Sequence, residues 1–191
     1  AQRADIVALS FHVNYWDYIG WKDPFASTDA TERQRAYARV LKQRYVYTPE
    51  MVFDGLAHEA GTRPGEVDEM IDRMHARRGP RATPQLKRAA DGGLSIRLDA
   101  LAIGRPAEIT LAVYDRHHST KVPRGENTGS TLDNFNVVRR LEKVASWDGQ
   151  EAIFTVAADR FGPQQGVAVL VQGADLGPIL GCNKLETGTA G

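Results

Sequence analysis

Cysteine is almost missing from this chain of 191 residues, which carries one, Cys182. A lone thiol cannot close an intrachain disulfide or run a dithiol cycle, so the residues present do not make a self-contained dithiol oxidoreductase. Net charge is missing too. Lys plus Arg and Asp plus Glu stand at 24 each, leaving no overall field to attract nucleic acid or anionic lipid. No apolar run approaches the ~18 residues of a membrane span, and no signal-peptide hydrophobic region is present. Internal repeats and low-complexity tracts are absent as well. What remains, 42% hydrophobic and 25% charged residues, is the composition of an ordinary globular chain.

The most informative stretch is Tyr47 to Gly55, Tyr-Thr-Pro-Glu-Met-Val-Phe-Asp-Gly. Proline has no amide for a ladder and holds the preceding residue extended, so Pro49 belongs at a strand start, an edge or a turn. An ordinary strand-initiating proline satisfies that requirement. So does the cis-proline of a thioredoxin-like fold, which frees the backbone at Thr48 to pair with an extended peptide. The flanks favour the second reading. Asp5 to Val13 is a nearly continuous apolar run, as in a strand buried on both faces. Asp29 as N-cap and Glu32 at the capping-box position predict a helix carrying Tyr37, Val40 and Leu41 on one face. A second helix is predicted from Pro64, with Val67, Met70, Ile71 and Met74 at helical spacing and a stop at Gly79-Pro80.

From Thr83 the pattern changes to short alternating runs: Leu94, Ile96 and Leu98; Ile109, Leu111 and Val113; Ala152 to Val156; and Val167 to Val171. Strands separated by Asp-Gly and Pro-containing turns, with no helix between them, predict an antiparallel sandwich. The expected fold class is therefore α/β plus β: an incomplete thioredoxin-like domain at residues 1–80, then an antiparallel β-sandwich-like domain at residues 84–186. The Gly79 to Pro84 stretch is the expected linker.

Three blocks carry a resemblance: residues 11–25, residues 47–55, and the stretch from Arg124 through Arg139. Together they resemble the signatures of a bacterial exported family, the domain-of-unknown-function family numbered 1223. The likeness runs from about Asp5 to Leu185. It implies a periplasmic or secreted protein with a thioredoxin-like domain before a β-rich one. It also implies an upstream strand and helix joined by Cys-x-x-Cys, which residues 1–191 do not contain. An extended peptide, a thiol protein or a strand donated by an upstream segment or another chain are the partners this implies.

The candidate substrate-binding residues are His12, Trp16, Asp17, Trp21, Thr48 and Pro49. Trp16, Asp17, Trp21 and Asp23 share an aromatic loop expected at the end of a strand, where open sheets place ligands. The same rings can equally cap the core, and either carboxylate can cap a turn. His12 is read either as a proton shuttle or as a satisfied structural histidine. Arg124, Gly125, Glu126, Asn127, Asn136 and Arg139 form a polar group that either pins the β-rich half or binds a ligand. His117 and His118 are adjacent and should point to opposite faces of a strand, which argues against a shared metal. No metal or cofactor is expected, and no catalytic residue is assigned. Three functions follow: thiol-disulfide or redox-linked chemistry that depends on upstream cysteines, a non-catalytic exported module that binds a peptide or ligand at Thr48-Pro49, or a structural or assembly protein led by the β-rich domain with a degenerate thioredoxin-like half.

Overall fold

Strict alternation organises the second half of the chain. In the computed structural model, which describes residue 3 and residues 5–77, 79–122 and 128–186, the odd-numbered positions of residues 109–113 and 167–171 face one core, which the even-numbered positions of residues 94–98 meet from the opposite sheet. Strands β3 (Gln85–Arg88), β4 (Leu94–Leu98) and β7 (Ala152–Val156) form one antiparallel sheet in the order β3-β4-β7. Strands β5 (Ala107–Lys121), β6 (Thr131–Trp147), β8 (Gly166–Gly173) and β9 (Ile179–Glu186) form the other, ordered β6-β5-β8-β9. Leu94, Ile96 and Leu98 meet Ile109, Leu111, Val113, Val167, Val169 and Val171 in one fully buried core that Trp147 closes at an end. This is a sandwich, and it follows from period-2 burial on both sheets.

The reverse face of the four-stranded sheet is also covered. Ala112, Tyr114 and Ala168 lie there with Val7 and Leu9 packed on them. Helix α1 (Thr28–Val40) reaches the same face, where Tyr37 accepts from the Gln172 amide and Arg33 donates to Gln172. The Tyr114 ring fits because position 166 is glycine; a Cβ there would lie 2.3 Å from the ring. Position 181 is glycine for a similar reason. A Cβ there would sit 1.8 Å from the Ala82 carbonyl, where Ala82 donates its amide to Leu180 at 3.0 Å.

The thioredoxin-like expectation is overturned. All three sheets are antiparallel, and no parallel ladder joins named strands among the described residues. The Asp5 to Val13 run is not a strand buried on both faces. It makes isolated parallel bridges only, Ser10 with Val137 and Val13 with Ser27. Its apolar side chains cover one sheet face while Asn136 and Val138 of β6 supply the backbone bonds to Ser10. Strands β1 (Glu50–Phe53) and β2 (Ala57–Ala60) form a two-stranded hairpin of their own, turned by Asp54 and Gly55 at positive φ. Helix α2 (Pro64–Ala76) packs beside that hairpin and buries none of its residues fully.

Helix α1 starts two residues earlier than predicted. Ser27, in extended geometry, is the N-cap and accepts from the Ala30 amide, while Asp29 lies in the first turn. Its other end closes with Gln43 donating to the Ala38 carbonyl and Lys42, at φ 56°, donating to Arg39. That is a Schellman ending with lysine where glycine is usual.

Candidate functional site

The aromatic loop and the start of β1 come together as a built corner. Residues 17–19 form a single 3-10 turn closed by Gly20, which projects Trp16 and Tyr18 outward; they are 45% and 79% exposed and their rings stack at 6.4 Å. Trp16 donates its indole N–H to Thr48 Oγ1 at 2.9 Å, and the Thr48-Pro49 peptide bond is cis. Beneath this corner, Tyr15 donates to Gln34 Oε1 of α1, and Gln34 Nε2 donates to the Tyr47 carbonyl and to Glu50. Gln43 holds the other Glu50 oxygen. Burial pushes the Tyr15 hydroxyl above its ordinary pKa, with the Glu50 charge adding to the rise and the Gln34 bond opposing it. Burial, with Glu50 and Glu59, does the same to Tyr47, which lies 2.7 Å from His58 Nδ1. The network fixes where β1 begins.

The β1–β2 register then sets which backbone groups face outward. Gly61 donates to the Pro49 carbonyl, so Pro49 and Gly61 form a hydrogen-bonded pair. By alternation the next bonded pairs are Met51 with Glu59 and Phe53 with Ala57. Glu50 and Val52 are the non-bonded positions. Their N–H and C=O groups point away from β2, and no other strand pairs with β1 among the described residues.

The remaining predicted residues form a second, inward group. His12 Nδ1 lies 2.6 Å from Asp23 Oδ2, and the Asp23 carboxylate also accepts from the Phe25 amide. Asp17 accepts from the Asp23 amide at 3.3 Å. Phe25 packs edge-on to His12 and against His118, with Arg139 over its ring at 5.3 Å. Asp115 receives His118 and Gln165 and lies 3.6 Å from Arg139. Burial opposes the charge on Asp23 and on Asp115. The bonds from His12 and the Phe25 amide, and from His118 and Gln165, together with Arg139, nevertheless hold both carboxyls below the usual carboxylate range.

The structure therefore joins Trp16 to Thr48 and Pro49 and binds His12 and Asp17 to Asp23, while Trp21 is half-buried within the loop. Asn136, at φ 51° in β6, donates its side chain to the Ala8 carbonyl. Arg124, Gly125, Glu126 and Asn127 lie outside the described residues. His117 and His118 have different partners, Asp133 and Asp115, and no group of three or more metal-ligating side chains occurs among the described residues. Gln34 and Glu50 escaped sequence reasoning. A glutamine in mid-helix and a glutamate at a strand start carry no local signal of sharing a bond.

A crystal structure of a protein from Agrobacterium tumefaciens is similar to this chain at 28% identity and a TM-score of 0.85, over 100% of this chain and 84% of that one. No curated protein matches. The family model described as "Protein of unknown function (DUF1223)" matches residues 1–172, and this chain belongs to that family.

Proposed function

We propose that this chain is a non-catalytic binding module that adds an extended peptide to the free edge of β1, beside the Trp16–Thr48 corner. The observation that carries the reading is the outward pair of amide and carbonyl groups at Glu50 and Val52. Edge addition uses such groups for affinity and flanking side chains for specificity. Trp16 and Tyr18 provide exposed aromatic surface at the same end of the strand. A strand donated by an upstream segment or by another chain would use the same edge. Export to the periplasm or beyond is part of this reading, supported by the family resemblance, and fractionation of the source cells tests it. A thiol-disulfide activity would need a second cysteine, and residues 1–191 hold Cys182 alone.

The test is a decapeptide library screened against the chain, with the hits titrated by calorimetry. Val52→Pro removes one outward amide at an edge position that tolerates proline. It should weaken the hits about tenfold or more, the scale of one to two lost hydrogen bonds with their orientation, while unfolding stays cooperative. Bound peptide should also slow amide exchange at Glu50 and Val52. Unchanged affinity in the proline variant, with those amides still exchanging freely, would overturn the proposal.

A further inference from the structure

Away from that corner, a groove of about 550 Å³ opens between α2, the β1–β2 turn and the chain leading into β9. That volume lies within the range of small-molecule sites. Two of the four apolar residues at helical spacing in α2, Met70 and Met74, line the groove, and no residue of α2 is fully buried. Leu56 and Leu180 also line it, Leu56 being 55% exposed. Arg73 and Arg77 fall on the same side of the helix, one turn apart, at the groove's rim. Neither has an ion pair among the described residues. The nearest acid on the lining, Asp54, is held by Arg81 at 2.7 Å.

A second depression, at Arg139, Arg140 and Arg160, offers a contrast. There every cation already faces a carboxylate, Asp115 for Arg139 and Glu142 for the other two. Of these two depressions among the described residues, the α2 groove is the one that sets apolar lining beside cations without an ion pair. Methionine adds to this, since its unbranched, polarisable side chain fits irregular apolar shapes.

We infer that the α2 groove binds an anionic amphiphile, a small molecule whose apolar body lies over Met70 and Met74 and whose carboxylate or phosphate head meets Arg73 and Arg77. The site is separate from the peptide edge, and the chain supplies its own reporters. It has three methionines; Met70 and Met74 line the groove, and Met51 sits in β1.

The experiment is a methyl-methionine NMR titration of the full chain with dodecanoate and, separately, dodecyl phosphate, below their micelle concentrations. Saturable shifts of the Met70 and Met74 methyls, with Met51 unmoved, are expected from at least one ligand, and the tighter one names the head. Dodecanol and dodecyltrimethylammonium should bind about tenfold more weakly or worse, and Arg73→Gln/Arg77→Gln should weaken the anions by a similar factor, as two partly exposed charge contacts allow. These arginines are exposed, so the variant should keep its melting temperature. Equal response to neutral or cationic ligands, unchanged affinity in the folded double variant, or shifts confined to Met51 would overturn the inference. The first two outcomes leave peptide capture by β1 untouched, and the third would place the ligand on β1 instead of the groove.

Discussion

Asp23 and Asp115 are each bonded to a histidine that contacts the Phe25 ring, and both carboxyls are held below their ordinary range. An unfolded aspartate titrates near ~3.9. A folded value below that means the stabilisation is fully present above the ordinary pKa and is lost as pH falls through that range toward the folded value. The expected outcome is a melting temperature that drops between pH 5 and pH 3, with a smaller drop in Asp23→Asn and Asp115→Asn. At pH 7 each substitution should cost about 1 kcal/mol, near the low end for charged hydrogen bonds because both sites are partly solvated, and so lower the midpoint by a few degrees. Thermal unfolding across that pH range checks both parts, and an unchanged acid drop in both variants would refute the assignment. The sequence made His12 a candidate but could not show its partner. Asp23 lies 11 residues away across an irregular loop, and His118, which also contacts the Phe25 ring, is brought near only by tertiary folding.

At the level of elements, the first helix shows how close local rules came. Ser27, Thr28 and Asp29 can each accept an amide, and capping chemistry alone does not rank them. Backbone geometry does: Ser27 is extended because its amide donates to His12. Ser27→Ala should cost about 1 kcal/mol, whereas Asp29→Ala should lose only a fraction of that through the helix dipole; paired denaturant titrations check the difference, and the reverse order would restore Asp29 as the cap. The strands divide similarly. Leu94 to Leu98 and Ile109 to Val113 were legible because every second position is a large apolar residue that faces the sandwich core. Strand β6 was not: over 17 residues only Val137 and Trp147 are buried, and its polar positions read as loop. It is a strand because β5 pairs with it along almost its whole length. The Ile6 to Val13 run misled in the opposite direction, since an apolar stretch says that a face is covered, not that a ladder exists.

Across the whole molecule, burial is unevenly shared. The sandwich core gathers its buried residues from β4, β5 and β8 with contributions from neighbouring elements, whereas the opposite face of the sheet holds a cluster of three, Ala112, Tyr114 and Ala168. Cooperative units separate where buried contacts are few. Native-state hydrogen exchange should therefore find the slowest amides in β4, β5 and β8, with α1, α2 and the β1–β2 hairpin opening at lower free energy. Uniform protection would instead mean one cooperative unit. The sandwich half was legible because period-2 patterning reports which face is buried. The arrangement of residues 5–80 was not, because it depends on side-chain bonds such as Arg33 to Gln172, 139 positions apart, that leave no periodic trace.

The fit of Tyr114 under Gly166 has a consequence for descent. Two positions on adjacent strands share one volume, so they cannot drift independently. A lineage that gains a side chain at 166 must first surrender the ring at 114, and every sequence retaining the tyrosine inherits the glycine with it.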